Sequence, residues 1–163
     1  MGVTPPSIYA AYGDKRGLCR AAVRRYLAQP QTPVEVIAQA PTAKAAARTL
    51  IEGAAVAFTG TDTPAGCLLA SSAIAVSAEA DDVREELATI RGEIEAALRD
   101  KIAGSVKAGE LPDTADPTVL AAFVMTVIQG LSTLARDGGS RAKLQQVGQL
   151  AMTIWPATSP QKS

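Results

Sequence analysis

Apolar residues recur every three or four positions through most of this chain, which is the spacing that places them on one face of an α-helix. The longest stretches with this spacing cover residues 81–108, 118–136 and 140–154. Shorter ones cover residues 15–27, 34–40 and 42–58. The pattern predicts an all-α protein.

Residues that suit helix ends and loops separate these stretches. The side chains of Thr4, Asp14, Asp116 and Ser140 can each accept a backbone N–H hydrogen bond at the start of a helix. The glycine- and proline-rich segments 60–66 and 109–117 predict loops. We expect a first part at 1–28, a helical body at 34–156 and a disordered tail at 157–163.

The stretch at 118–136 is apolar nearly all round, and a helix without a wide polar face must be buried on several sides. It either lies centrally within one subunit or pairs with a second copy of the chain. We expect a homodimer, because the helix has more apolar surface than a body of this size can cover. The predicted interface residues are Leu120, Phe123, Val124, Val127, Leu131, Leu144, Val147, Leu150 and Ile154.

Composition narrows the functions open to the chain. The 163 residues include no histidine, which general acid–base catalysis uses most often, and no phosphate loop or metal-ligand spacing appears. We therefore expect neither an enzyme nor a metal or cofactor. No stretch reaches the roughly 18 uninterrupted apolar residues of a membrane span. Cys19 and Cys67 lack CxxC spacing, which fits a reducing cytoplasm.

Charge is unevenly distributed, although the formal net charge is zero. The first 28 residues contain five basic residues and one acidic residue, Asp14, so their net charge is positive. The rest of the chain carries an equal net negative charge. A basic end on an acidic body suits a surface that faces nucleic acid, and a solvated helix face is the alternative interpretation.

The first 27 residues carry a set of short motifs that points to a known family. The set is Gly2-Val3-Thr4, Ser7-Ile8-Tyr9, Tyr12-Gly13 and Lys15 ahead of Leu18. It closely resembles the turn, recognition helix and connecting helix of TetR/AcrR-type transcriptional regulators. The resemblance implies that Thr4, Tyr9 and Lys15 touch DNA phosphates and that Pro5 and Pro6 approach the bases. Ala11 departs from the family, which often has His or Tyr there.

Two later segments resemble the same family. One is Gly66-Cys67-Leu68-Leu69, and the other runs from Gln129 to Arg141 within the last two helices. In that family these helices pair with their copies as a four-helix bundle. The resemblance also implies an effector cavity between residues 42 and 106. Leu50, Phe58, Leu69, Leu87 and Ile94 would favour a small hydrophobic effector there, although plain core is the more usual role for such residues. Cys67 is either a redox or electrophile sensor or a small buried thiol.

Two functional hypotheses follow. The first is a cytoplasmic, ligand-responsive, DNA-binding transcriptional regulator, a repressor released from its operator by a small apolar effector. The second is a dimeric small-molecule-binding module without independent DNA binding, since the helices that precede the turn in the family are absent from this sequence.

Overall fold

The computed structural model describes residues 10–28, 30–70 and 81–157 of the protein. Their six main helices are α1 (Lys15–Leu27), α2 (Pro33–Gln39), α3 (Ala43–Ala57), α4 (Asp81–Lys107), α5 (Pro117–Arg136) and α6 (Arg141–Ala151). A short 3₁₀ turn, Met152–Ile154, follows α6, and residues 10–12 and 68–70 are also helical. The described part of the chain contains no strand, so the all-α prediction is confirmed.

Local side-chain caps fix where the helices begin. Asp14 accepts the Gly17 N–H at 2.8 Å at the start of α1, directly after Gly13 turns the chain with a φ of +82°. Asp116 accepts two N–H groups of the first turn of α5, and Ser140 accepts one from α6. These hydrogen bonds confirm the three predicted caps. In each one, the N–H donor lies within one turn of the side chain that accepts it. Thr4 lies outside the described residues, as does the predicted tail beyond residue 157.

Helix α5 lies at the centre of the body and packs against α3, α4 and α6. Buried aliphatic side chains from each of these helices form one core. Its fully buried members include Ile51, Leu87, Leu98, Ile102, Val124, Leu131 and Leu144. Val23 of α1 is only 2% exposed and joins the same core, so α1 is docked on the body.

Because α5 is strongly apolar, a membrane-spanning helix is an alternative interpretation of it. With a mean hydropathy of 1.8 over a helix of 20 residues, α5 is long and apolar enough to cross a bilayer. A core helix of a soluble protein passes the same test, so length and composition say little here. Because α5 packs against three other helices and carries buried core residues, we interpret it as a core helix.

Candidate functional site

Helix α1 carries the basic residues that the sequence analysis assigned to a nucleic-acid-facing surface. Arg16, Arg20, Arg24 and Arg25 are all exposed on it. Lys15 is its first residue. The other predicted DNA contacts, Thr4, Pro5, Pro6 and Tyr9, lie outside the described residues. Helix α1 therefore follows the predicted recognition helix in the chain. It is where a DNA-reading head, made of the first residues, would join the body.

Ion pairs attach the first half of α1 to the start of α4. Arg20 lies 2.9 Å from an Asp82 carboxylate oxygen and 3.8 Å from one of Glu86. Arg16 lies 3.9 Å from Asp82. These side chains keep 38–55% of their surface exposed, so water and salt screen the pairs. The basic face is therefore partly neutralised by the acidic body, which the sequence analysis did not foresee.

A partly buried hydrogen bond attaches the other end of α1. The Tyr26 hydroxyl donates to Cys67 Sγ at 3.3 Å. Burial raises the pKa of Tyr26 well above its ordinary value of 10.0, the neighbouring Cys67 raises it further, and a backbone hydrogen bond from Leu68 acts in the opposite direction. The phenol therefore stays protonated and remains a hydrogen-bond donor at physiological pH.

The loop that carries Cys67 presses closely on α5. Gly66 has a φ of +91°, and a Cβ added there would lie 2.7 Å from Cγ of Arg136. The next residue, Cys67, is 8% exposed and donates its backbone N–H to the Ser132 hydroxyl at 2.8 Å. We call residues 66–68 the junction turn, because the side chains that hold it come from α1 and α5.

The comparisons with known proteins assign the chain to a family. Residues 43–151 match the family model described as tetracyclin repressor-like, C-terminal domain. The HTH-type transcriptional repressor ComR of Escherichia coli (strain K12) is 30% identical over 157 residues, which are 95% of this chain and 75% of ComR. The chain belongs to the TetR family of transcriptional regulators.

Two solved structures of the TetR-family regulator CifR are similar along nearly the whole chain. A cysteine-substituted CifR bound to a 26-base-pair operator DNA is 34% identical, with a TM-score of 0.81 over 94% of this chain and 81% of CifR. A second cysteine-substituted CifR, recorded with operator DNA and in the apo state, is 35% identical, with a TM-score of 0.80 over the same shares.

The predicted effector residues of this TetR-family chain lie in the body core. Phe58, Leu69, Leu87 and Ile94 are each at most 7% exposed, and Leu50 is partly buried against them. A groove of about 270 Å³ opens elsewhere, between α3 and α6. Its lining residues are Arg48, Ile51, Glu52, Gly148, Gln149 and Met152. None of the five predicted effector residues lines this groove, so they remain candidates on the resemblance alone.

The predicted dimer residues divide into two sets. Val124, Leu131 and Leu144 are at most 1% exposed and belong to the core of the single chain. Val147, Leu150 and Ile154 are 40%, 69% and 61% exposed. Leu120, Phe123 and Val127 are partly buried on α5. Val119, which the sequence analysis did not select, is 62% exposed at the start of α5. We call Val119, Val147, Leu150 and Ile154 the exposed apolar set.

Cys19 is partly buried, Cys67 is buried, and both are free thiols. Among residues 10–28, 30–70 and 81–157, no group of three or more His, Cys, Asp or Glu side chains is placed to hold a metal ion.

Proposed function

We propose that this TetR-family protein is a cytoplasmic, dimeric repressor that leaves its operator when a small, largely apolar effector binds in the helical body. The observation that carries the DNA-binding part is the match along nearly the whole chain to CifR, which is solved on operator DNA. The basic α1 supports it, since it sits where a DNA-reading head would meet the body.

The exposed apolar set supports the dimer. Val119, Leu150 and Ile154 each leave more than 60% of their side-chain surface open to water in the single chain. Large apolar side chains grouped on the last two helices are costly to leave exposed. A second copy of the chain covers them in a two-fold arrangement, in which the same patch faces itself.

The apolar core of the body supports the effector part. Phe58 directly follows α3, and Leu69 lies in the helical residues 68–70 that follow the loop, next to the attachment of α1. A small apolar molecule held by such side chains gains most of its affinity from burial. Its binding would act on the body at the point where α1 is fixed.

The first experiment measures operator binding by the regulator at its natural length. Fluorescence anisotropy follows its binding to DNA fragments from its own promoter region, over a series of salt concentrations. Lys15→Ala is expected to weaken binding several-fold on all fragments and to lower the salt slope by about one. Lys44→Ala is the matched control, because Lys44 is an exposed cation on α3.

The outcomes separate the proposed function from its alternative. Sequence-selective binding that Lys15→Ala weakens and Lys44→Ala does not would support the proposal. A dimer that binds none of the fragments selectively would instead support the effector-binding module. Deletion of the gene should raise transcription from the bound promoter, and a fall would show an activator.

A further inference from the structure

We propose that the junction turn, residues 66–68, couples the position of α1 to that of α5, with Tyr26 and Ser132 as the positioning residues on its two sides. This inference rests on the proposed function, because it names the route by which the body would act on the head. It is carried by two hydrogen bonds that meet at Cys67 and by a close backbone contact at Gly66.

The first hydrogen bond fixes α1. Tyr26 lies in the last turn of α1, and its hydroxyl donates to a sulfur 41 residues away in sequence. The Leu68 backbone N–H also bonds to this phenol, so Tyr26 contacts two consecutive residues of the junction turn. The remaining described attachments of α1 include exposed ion pairs at its other end and the buried Val23. The Tyr26 hydroxyl therefore adds a directional hydrogen bond to an attachment of α1 that otherwise consists of apolar contacts and ion pairs.

The second hydrogen bond fixes the turn to α5. Ser132 is 2% exposed and is one of two buried polar residues among the described part of the chain. Its hydroxyl accepts the N–H of Cys67, the residue just before the helical residues 68–70. Backbone N–H groups at the start of a helical segment often take a side-chain acceptor. A polar side chain on a strongly apolar helix is thus used as a cap for a different segment. Any shift of α5 at Ser132 changes the backbone position of Cys67.

The turn cannot adjust independently of its neighbours. The φ of Gly66 and its approach to Arg136 leave no room for a side chain. The Gly66 N–H donates to the Phe58 carbonyl at 3.0 Å, which ties the turn to the end of α3. The Arg91 guanidinium of α4 donates to the Leu69 carbonyl on the other side. Contacts from α1, α5 and the end of α3 therefore hold the turn, and α4 holds the residue that directly follows it. The turn moves with these elements as a unit.

Two predicted effector residues lie directly beside this unit. The Phe58 carbonyl accepts the Gly66 N–H, and Leu69 follows Leu68 in the chain. An effector that displaces either residue would shift the sulfur that holds Tyr26. Loss of this hydrogen bond would free α1, and with it the DNA-reading head, although the effector itself does not contact α1.

Amide hydrogen exchange tests the coupling in the effector-free protein at its natural length. Exchange is measured in α1, in residues 66–70 and in α5 around Ser132 for Tyr26→Phe, for Ser132→Ala and for the double variant. Loss of one hydrogen bond is expected to raise exchange in α1 about fivefold for either single variant. The double variant is expected to show no further increase in α1, since both changes break the same connection.

The matched control is Thr133→Ala, which removes a hydroxyl from the neighbouring position of α5. The Thr133 hydroxyl donates to the Gln129 carbonyl, one turn earlier in the same helix, and the side chain is exposed. It should leave exchange in α1 unchanged. Because coupling is reciprocal, Tyr26→Phe should also raise exchange in α5 around Ser132, which Tyr26 reaches only through the junction turn. If Ser132→Ala proves too unstable to study, this reciprocal measurement on Tyr26→Phe still decides the question.

Two results would overturn the inference. One is a Tyr26→Phe variant that loosens α1 but leaves α5 around Ser132 at the wild-type rate. The other is a double variant whose effects on α1 multiply, which would show independent contacts. Neither measurement uses DNA or an effector. A regulator that shows coupled exchange but binds no operator would therefore refute the proposed function and leave this inference standing.

Discussion

Gly66 combines a backbone conformation and a close contact that no other residue type can match. Its φ of +91° is one that residues with a Cβ rarely adopt, and the space a Cβ needs is filled by the Arg136 side chain and the Ser132 carbonyl. The glycine therefore sets how closely the loop after α3 can approach α5.

Replacement of Gly66 by alanine should lower the free energy of unfolding by about 3 kcal/mol, from backbone strain and from the clash with α5. Urea denaturation measures the change. Gly109→Ala is the matched control, because Gly109 has a φ of +73° but nothing within 4 Å of its Cβ position. It should lose only about 1 kcal/mol for the backbone conformation. Equal losses in the two variants would show that the contact with α5 adds nothing.

The sequence indicated that Gly66 and Cys67 belong to a motif, but it did not indicate their contacts. In the sequence, Ser132 is a polar residue within an apolar stretch and Tyr26 lies near the end of a basic one, and neither pattern indicates a partner. Their partner is Cys67, which is 65 residues from Ser132 and 41 from Tyr26. Helical periodicity describes neighbours three or four positions apart, so it carries no information on such contacts.

At the scale of the helices, capping residues decide the boundaries. Asp116 accepts hydrogen bonds from the Thr118 N–H at 2.8 Å and the Val119 N–H at 3.2 Å. Pro117 follows it at the first helical position, where no N–H is needed. The central helix of the body thus begins at a position set by two adjacent residues.

Loss of this cap should destabilise the protein measurably. Asp116→Ala removes the acceptor for two backbone donors and should lower the free energy of unfolding by about 1 kcal/mol. Asp113→Ala provides the control, since Asp113 is exposed in the preceding loop and caps no described helix. Thermal unfolding, followed by circular dichroism, compares the Asp116→Ala and Asp113→Ala variants with the wild type. Similar midpoints for both variants and the wild type would argue against the cap.

The helix boundaries could be predicted from the sequence because caps act within one turn. Asp14, Asp116 and Ser140 each bond to a donor two or three residues ahead. The attachment of α1 to α4 could not be predicted in the same way. Arg20 and Asp82 are 62 residues apart, and the charge pattern alone indicated nucleic acid or solvent, not an acidic partner on the body.

For the whole molecule, the central question is what covers the exposed apolar set. Leu150 is 69% exposed on α6, and Val147, one turn before it, is 40% exposed. A charge at Leu150 would be buried without a partner if a second copy covers this surface.

Leu150→Lys should therefore raise the dimer dissociation constant by at least about tenfold, as measured by sedimentation equilibrium. Val34→Lys is the matched control, because Val34 is 40% exposed on α2, whose main packing partners are α3 and α4. It should leave the dissociation constant unchanged. A wild-type protein that is monomeric at micromolar concentration would contradict the proposed dimer.

The sequence predicted which residues of the last two helices are apolar but not what covers each one. Val124, Leu131 and Leu144 share the helical spacing of the predicted interface, yet α3, α4 and α6 of the same subunit surround α5. Periodicity identifies a residue that avoids water. Only the packing of the whole body separates an internal neighbour from a second copy.

The exposed apolar set also bears on how the amount of regulator in a cell sets transcription. If two copies must pair before the operator is bound, mass action makes the dimer concentration rise with the square of the subunit concentration while monomers predominate. A twofold fall in synthesis would then reduce operator occupancy up to fourfold. Repression of this kind has a sharper threshold in gene dosage than binding by a single subunit would give.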